Sequence, residues 1–219
     1  ISTVGASVTM QLCYLEGDAD ACSRINRNGN GQLWVGTGNV VDTNINIGGV
    51  STSGYDISAA YGFDAGEIGS FNLSMNGTYL DSFDVDPIGQ SFAEYDCVGE
   101  YGNDCFTPTP EWRHRARLSW ATPVEALELN GTWRYIGEVD LDTGATGRVD
   151  STLDAVNYFD LAGTWGATDY ATFRFGVNNV LDTDPPLSAS VGTTGNGNTY
   201  PQSYDALGRY IFVGATLDF

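Results

Sequence analysis

Seven charged side chains lie on segments of the sequence in which polar and apolar residues alternate. They are Arg113, Arg115, Arg117, Glu128, Arg134, Asp160 and Arg174. In an extended strand every second side chain points to the same face, so all seven fall on the polar face of their segments. We expect ion pairs between neighbouring strands, with Arg117 near Glu128 and Arg174 near Asp160. Contact with a charged ligand is the alternative interpretation.

The sequence contains no recognisable catalytic motif. It lacks the Gly-x-Ser-x-Gly, His-Glu-x-x-His and phosphate-binding-loop patterns. The only histidine, His114, falls on an apolar face, which disfavours a Ser/His/Asp triad. Asp140 and Asp142 are acids of a loop without a positioned partner for glycosidase chemistry. We therefore predict that the protein is not an enzyme and that it uses no cofactor.

The four cysteines form two close pairs in the sequence. Cys13 lies near Cys22, and Cys97 lies near Cys105, each pair inside a stretch rich in Gly and Asp. Four cysteines allow three pairings, and short local loops favour the sequential one. Zinc would need Cys-x-x-Cys or additional His spacing, so we expect no metal site. Two disulfides indicate an oxidising compartment such as the periplasm or the cell surface.

Composition favours an all-β protein and argues against both a helical membrane span and a nucleic-acid partner. The 219 residues include 28 Gly, 12 Tyr and 5 Trp, which suits strands and turns better than helices. No run of 18 or more apolar residues exists, so a helical membrane span is excluded. The net charge is -19 and all nine basic residues are Arg, so nucleic acid is an unsuitable partner. Acids cluster in the expected loops, where they keep the surface soluble or collect divalent cations.

Strict alternation of side chains identifies the strands that carry these residues. In the last segment, 204–219, Ile211, Val213, Ala215 and Leu217 share one apolar face. Six further segments alternate in the same way: 55–63, 71–83, 112–121, 127–135, 157–165 and 173–181. Before them we expect a short helix within residues 1–11 and a long strand or hairpin formed by 33–41 and 44–50.

The connections between these strands alternate in length. Short turns are expected at 64–69, 122–125 and 167–170, and long loops at 84–111, 137–154 and 183–203. Membrane β-barrels have short periplasmic turns and long outer loops, whereas a soluble sandwich has no reason to follow this rule. Both cysteine pairs fall on the long-loop side. Aromatic residues near the strand ends match interfacial girdles, namely Tyr79, Phe83, Trp112, Trp120, Tyr135 and Trp165.

A series of phrases near the carboxy terminus is shared with a known family. It consists of Gly176-Val-Asn-Asn-Val-Leu-Asp182, Pro185-Pro186, Gly197-Asn-Thr-Tyr-Pro-Gln202, Tyr204-Asp205 and Leu207-Gly208-Arg209, before a closing strand that ends at Phe219. This series resembles the carboxy-terminal end of TonB-dependent outer-membrane receptors. The similarity extends more loosely to the Cys97–Cys105 stretch before Pro110-Glu-Trp-Arg-His114, and to the Cys13–Cys22 loop before Arg27-Asn-Gly-Asn-Gly-Gln32.

The resemblance implies an antiparallel transmembrane β-barrel of 22 strands around an amino-terminal plug. This chain would be roughly the last third, about seven strands, with residues 1–50 as an outer loop and 51–219 as barrel strands and loops. The plug would be absent from the chain. Expected partners are the remainder of the same barrel with its plug, the TonB complex and outer-membrane lipid, because an open sheet in lipid leaves edge groups unpaired. We expect Tyr210, Phe212 and Phe219 of the terminal strand to serve barrel assembly.

The resemblance further implies active import across a Gram-negative outer membrane, with the long loops and both cysteine pairs extracellular. The cargo would be a scarce small-molecule nutrient such as an iron chelate, cobalamin or a glycan. Six residues are candidate ligand contacts, each with loop packing as the alternative role: Trp34, Tyr95, Tyr101, Arg113, Tyr200 and Gln202. Two other functions remain open, a passive porin, suggested by the Arg113, Arg115, Arg117 series, and a secreted adhesion sandwich.

Overall fold

The computed structural model describes residues 4–43, 48–86, 94–189 and 196–218. The chain divides into two compact units, Ile1–Ser51 with Asp84–Asp96 and Thr52–Phe83 with Cys97–Phe219. No helix within the described ranges is long and apolar enough to cross a membrane. Both sequential disulfides are present, Cys13–Cys22 in the first unit and Cys97–Cys105 in the second, which confirms the predicted pairing.

Short helices joined by a disulfide begin the first unit. Helix α1 spans Ala6–Gln11, a π-helical turn spans Leu12–Glu16, and helix α2 spans Ala19–Ser23. The Asp18 carboxylate caps α2 by accepting a hydrogen bond from the Ala21 N–H at 2.7 Å. The helix expected within residues 1–11 is therefore confirmed, with residues 1–3 outside the described range.

The expected long hairpin between residues 33 and 50 is wrong. Strand β1 (Ile25–Asn26) pairs with β2 (Asn39–Val40), and within 33–50 the described residues include no other strand before Gly49. Polar turns take up the intervening chain, because the Asn28 side-chain oxygen accepts from the N–H groups of Asn30 at 3.0 Å and Gln32 at 2.9 Å. Such side-chain bonds favour turns over an extended ladder. Residues 44–47 lie outside the described residues.

The seven predicted long strands all form, and they build one antiparallel sheet. Their bounds are β3 (Gly49–Asp64), β4 (Ser70–Asp86), β8 (Trp112–Ala121), β9 (Leu127–Ile136), β12 (Val156–Thr168), β13 (Ala171–Asn178) and β14 (Tyr210–Leu217). The order across the sheet is β14-β13-β12-β9-β8-β4-β3, a meander, with the short β5 (Tyr95–Asp96) paired to the end of β4. Among the described strands, β3 and β14 form the two ends of this path, so the sheet is open.

Strand β13 ends earlier than the alternation predicted. The sequence pattern continued to Leu181, but the strand stops at Asn178. Asn179 has a φ of 51°, and its side chain accepts from the Thr183 N–H and donates to the Thr183 carbonyl oxygen, both at 2.9 Å. The buried asparagine thus forms a closed polar turn, which turns the chain away from the sheet.

The register gives the sheet one apolar and one polar face. Directly paired residues share a face, and Leu118, Gly131, Leu161, Val177 and Ile211 follow one another across five strands. On the opposite face Glu128, Thr164 and Arg174 form a similar row. This register confirms the polar face for the seven charged residues predicted to lie on it. Asp81, near the end of β4, instead shares the parity of Tyr79 on the apolar face.

Aromatic side chains border the apolar face at two levels. Near the short turns Phe63 stacks on Phe71 at 5.1 Å, and Phe71 stacks on Trp120 at 5.8 Å. Near the long loops His114 contacts Trp133 edge-on, with ring centroids 4.4 Å apart. Trp112 and Trp120 are eight positions apart on β8, about 26 Å of strand at about 3.3 Å per residue. Because strands of outer-membrane barrels tilt by about 40°, this length corresponds to a height of about 20 Å, which fits inside their apolar band of about 25 Å.

Part of the expected loop sequence folds into a second, smaller sheet. Strands β6 (Glu100–Gly102), β7 (Phe106–Thr109), β10 (Val139–Leu141) and β11 (Thr152–Leu153) pair in the order β11-β10-β6-β7. Their apolar side chains form a buried core with residues from the ends of other strands and loops: Tyr101, Val139, Leu141, Leu153, Val156, Tyr158, Tyr200 and Tyr204. We call these four strands together with Tyr200 and Tyr204 the loop domain.

Truncation of Val139 tests the core of the loop domain. The Val139 side chain is 1% exposed, whereas Val149, in the same loop, is 97% exposed. We expect Val139→Ala to destabilise the loop domain by about 1–3 kcal/mol, because it leaves a cavity in a closed core. Hydrogen exchange of the β6 and β10 amides in the full-length protein in detergent measures this change. The matched Val149→Ala variant should exchange like the wild type, and equal exchange in both variants contradicts the assigned core.

Candidate functional site

An arginine ladder on β8 is the most strongly charged feature of the polar face. We use this name for Arg113, Arg115 and Arg117, whose side chains are all exposed. Their partners on β4 are Thr78, Asn76 and Ser74, and their partners on β9 are Ile136, Arg134 and Thr132. No carboxylate therefore lies directly opposite the ladder on either side. Among the described residues, none of the three arginines forms an ion pair, in contrast to Arg134.

The register contradicts the two predicted ion pairs. Glu128 lies opposite Ala121 and Thr164, four positions from the partner of Arg117, or about 13 Å at about 3.3 Å per residue. The hairpin is displaced because its turn extends to Ala126, with a φ of 56°, and closes through the Thr122 N–H and the Leu127 carbonyl oxygen at 3.1 Å.

Arg174 does not pair with Asp160 either. It lies opposite Thr164, which is four positions along β12 from Asp160, so these two residues are not neighbours. The partner of Asp160 is Arg134, from the strand on its other side. The prediction placed the right residue types on the right face but selected the wrong strand pair.

Arg134 is the centre of the charged network on this face. Its Nε and Nη2 atoms donate to the two carboxylate oxygens of Asp160 at 2.8 and 2.9 Å. Its Nη1 and Nη2 atoms donate to the two oxygens of Asp205 at 2.9 and 2.6 Å. Both contacts are forked, the geometry in which an arginine–carboxylate pair is strongest. Since Asp205 belongs to the last loop, this one side chain joins the sheet to that loop.

Neighbouring groups fix the orientation of this network. The Arg134 guanidinium lies over the Tyr158 ring, 4.9 Å from its centre, a cation–π contact. The Asn179 N–H donates to Asp160 at 2.9 Å, and the Asp205 N–H donates to the Tyr158 hydroxyl at 3.2 Å. The charges are therefore held by groups from two strands and two loop segments.

Two cavities lie along this part of the polar face. One, of about 540 Å³, is lined by Arg115, Arg134, Asp160, Asn178 and Tyr210, with a roof contributed by Pro201 and by Tyr204 to Gly208. The other, of about 550 Å³, includes Asp56, Asn76, Thr78, Arg113, Arg115 and Arg134 in its lining. Arg115 and Arg134 line both cavities. Their volumes suit a small molecule.

Asp150 organises the polar interior of the loop domain. Arg148 Nε and Nη2 donate to its two carboxylate oxygens at 2.8 and 3.0 Å, and the Ala189 N–H donates at 2.7 Å. The Tyr101 hydroxyl donates to the Asp150 carbonyl oxygen. The hydrogen bond from Arg148 is the main cause that lowers the pKa of Asp150 to about 2. Burial raises the pKa of Tyr101 to about 12, so the hydroxyl remains a donor.

The Cys97–Cys105 loop is fastened by an acid from another loop. The Asp142 carboxylate accepts from the N–H groups of Asp104 at 2.7 Å and Cys105 at 3.1 Å. Gly102, with a φ of 152°, lies so close that a Cβ atom there would be 2.1 Å from the Asp142 carboxylate. Asp142 therefore anchors the disulfide loop.

The six predicted ligand contacts fall in different environments. Tyr101 and Tyr200 are 0% and 3% exposed and pack edge-to-face in the loop domain, which favours for them the alternative role of loop packing. Trp34 and Gln202 are exposed, and Arg113 belongs to the exposed ladder. Tyr95 is half-buried in β5 of the first unit. The structure brings Arg113 close to the Arg134 network but leaves Gln202 outside the lining of both cavities.

Two residues of the network were not predicted from the sequence. Asp205 and Tyr158 complete the Arg134 site. Asp205 lies in an irregular loop segment, and the alternation of side chains shows only which face Tyr158 occupies, so neither position indicated a contact with Arg134. A contact between residues 71 positions apart, such as Arg134 with Asp205, has no local sequence signal. The terminal residues Tyr210 and Phe212 lie on the polar face of β14, whereas Phe219 lies outside the described residues.

Comparisons with known proteins identify the type of sheet. Residues 23–180, more than half of the chain, match the family model "TonB dependent receptor-like, beta-barrel". The FrpB iron transporter of Neisseria meningitidis is 16% identical over 81% of this chain and 25% of its own, with a TM-score of 0.55. This likeness supports the barrel fold. No curated protein sequence is significantly similar to the chain.

Two further solved structures show the same partial coverage. The ferric-catecholate import receptor Fiu of E. coli is 17% identical over 89% of this chain and 23% of its own, with a TM-score of 0.49. A mutant of the ferric enterobactin receptor PfeA of Pseudomonas aeruginosa is 17% identical over 77% and 22%, with a TM-score of 0.48. The chain thus spans about a quarter of the length of the solved proteins that it resembles.

Replacement of Arg134 tests whether this residue fastens the last loop. We expect Arg134→Met to destabilise the 201–208 segment by about 1–3 kcal/mol, because two carboxylates lose their charged donors. Hydrogen exchange of the 201–208 amides measures the effect in the full-length protein. Arg117→Met is the matched control, because Arg117 lies on the same face without an ion pair. Unchanged protection of 201–208 in Arg134→Met would show that the loop is held by other contacts.

The lowered pKa of Asp150 predicts acid loosening of the loop domain. Because its pKa falls from 3.8 to about 2 on folding, Asp150 stabilises the fold above about pH 4, and this contribution disappears as the pH falls through about 2. Pepsin, which is active across this window, should cleave the wild-type loops increasingly from pH 4 to pH 2. Asp150→Asn should be cleaved readily across the whole window, whereas the exposed control Asp154→Asn should follow the wild type. Identical profiles for all three proteins contradict this role.

Proposed function

The chain belongs to the TonB-dependent receptor-like β-barrel family, and on this basis we propose that it forms part of the wall and outer loops of an active outer-membrane transporter. The transporter imports a scarce nutrient with energy transmitted by TonB. The continuous apolar face, bordered by aromatic residues at two levels, is the observation that supports placement in a membrane. The proposed activity is transport rather than catalysis.

The alternation of connection lengths supports the orientation of the barrel. The short connections, such as Thr122–Ala126, face the periplasm in this proposal, and the long ones, which carry the loop domain, face outward. The Cys97–Cys105 disulfide and the closed tyrosine core suit an exposed structure that must survive outside the cell. The Cys13–Cys22 loop is assigned to the same side.

The open sheet requires further polypeptide to complete a barrel. In lipid, unpaired edge N–H and C=O groups cost several kcal/mol each, so β3 and β14 need neighbouring strands. We propose that the remainder of the barrel and a plug supply them, and that Tyr210 and Phe212 on β14 contribute to assembly together with Phe219. These partners and the TonB complex belong to the proposal for the whole protein.

The nutrient is proposed to be an iron chelate, cobalamin or a glycan. The loop domain, the exposed residues Trp34, Arg113 and Gln202, and the half-buried Tyr95 are proposed as the surfaces that meet it. FrpB, which has the same barrel fold, is an iron transporter, and this favours testing an iron chelate first.

A passive porin is the second candidate, and the arginine ladder is the observation that favours it. Arginines in porin constrictions normally face acidic residues across an open pore. Here the 201–208 segment lies against the polar face through the Arg134–Asp205 pair, next to the ladder. A loop segment held on the polar face beside Arg115 favours the gated transporter over an unobstructed pore.

Uptake measurements with and without TonB separate the two functions. The full-length gene is expressed in a Gram-negative strain that lacks its own receptors for the tested nutrients. Cells are given radiolabelled ferric citrate, ferrioxamine B, cobalamin or maltohexaose. We expect accumulation of one nutrient in the strain with functional TonB and loss of that accumulation in the isogenic tonB mutant. Uptake that persists without TonB, together with steady conductance in planar bilayers, would establish the porin instead.

A further inference from the structure

Two arginines lie directly opposite each other on the polar face. Arg115 on β8 pairs in register with Arg134 on β9, so their Cβ atoms are separated by about 4.5–5.5 Å. Like charges in this position destabilise a strand pair, and nothing in the sheet geometry requires a second arginine here. A guanidinium pair is favourable when an anion lies between its members, because each fork can bind one oxyanion.

Carboxylates neutralise the charge of Arg134 more fully than that of Arg115. Arg134 donates to both Asp160 and Asp205, whereas Arg115 lies opposite the neutral Asn76 on its other side. Arg115 is within electrostatic reach of Asp160, but among the described residues it forms no ion pair within 4.0 Å. Its exposed guanidinium therefore retains donors for an additional anion.

The space beside this pair is shaped for a small ligand. Arg115 and Arg134 line the cavity of about 540 Å³ whose other polar lining groups include Asn178 and Tyr210. The 201–208 segment covers it, and Asp205 in that segment occupies one side of the Arg134 fork. The carboxylate of Asp205 thus occupies the position that a carboxylate or phosphate group of a ligand would take.

We propose that Arg115 and Arg134 form a binding site for an oxyanion group of the transported nutrient, either carboxylate or phosphate. The ligand takes the place of Asp205 on Arg134, with Arg115 as the second cation, and the 201–208 segment is released from the sheet. Arg134 keeps its fork on Asp160, and the ligand oxyanion replaces the two hydrogen bonds that Asp205 accepted from Arg134. This proposal rests on the proposed transport function and specifies the charge of the nutrient.

Titration of binding to the purified full-length receptor in detergent tests the site. The probes are citrate, ferric citrate and inorganic pyrophosphate, with cationic ferrioxamine B and neutral maltohexaose for comparison. We expect wild-type protein to bind at least one anionic probe, and Arg115→Gln to weaken that binding by roughly tenfold or more through loss of a charged donor. The matched control is Arg174→Gln, since Arg174 is also an exposed polar-face arginine without an ion pair, and it should remain within about twofold of the wild type.

Replacement of Asp205 distinguishes the proposed exchange from a purely structural role of the Arg134–Asp205 pair, because only the exchange predicts tighter anion binding. Asp205→Asn removes the competing carboxylate, so the anionic probe should bind several-fold more tightly, while the 201–208 amides exchange faster without ligand. In the wild type, the probe itself should increase exchange of these amides. Weaker binding in Asp205→Asn, or equal losses in Arg115→Gln and Arg174→Gln, overturns the exchange mechanism.

The test of the oxyanion site and the test of the transport function can fail independently of each other. Failure of wild-type protein to bind any anionic probe overturns the oxyanion site. If TonB-dependent uptake of cobalamin or maltohexaose is nevertheless observed, the transport proposal stands and only the charge of the nutrient is wrong. Tight anion binding without TonB-dependent uptake supports the site and contradicts the transport function.

Discussion

Hydrogen bonding between the backbone groups of neighbouring antiparallel strands is the constraint on which the rest of the structure depends. The five inner strands pair their N–H and C=O groups with neighbours on both sides, and this leaves the two side-chain faces free to differ completely. One face carries aliphatic rows between aromatic borders, and the other carries the arginine ladder, Glu128, Arg134, Asp160 and Arg174. Since a membrane interior offers backbone groups no water, such pairing is the condition for an apolar face of this kind.

The sequence was sufficient to predict the strands and their faces but not the register. Alternation is a local property, so Trp112–Ala121 and the parity of Arg134 and Asp160 were predicted correctly. Register depends on where each turn closes, and the left-handed residue Ala126 extends the β8–β9 turn beyond its predicted end. A displacement of four residues leaves parity unchanged, which is why the faces were right while the ion pairs of Arg117 and Arg174 were wrong.

The loop domain was beyond sequence analysis for a different reason. Its strands are only two to four residues long, too short to show a period, and its core collects side chains from four separate stretches. Tyr101 and Tyr200 were considered as ligand contacts because exposed aromatic loops are typical of binding surfaces. These two tyrosines are buried because they pack against each other across a long stretch of sequence, and the residues next to them in the chain do not predict that contact. The ion pair between Arg134 and Asp205 of the last loop is also a long-range contact that no local sequence pattern predicts.

The parallel pairing of β10 with β6 has a consequence for the order in which the molecule is made. Glu100 and Tyr101 lie beside Asp140 and Leu141, and the core is closed by Tyr200 and Tyr204, which are almost one hundred residues from Tyr101. Contacts so distant in sequence form slowly, because a long stretch of chain must first be arranged. The small sheet therefore matures after the strands between its parts have been placed, and its resistance to protease during biogenesis would indicate that the neighbouring wall is complete.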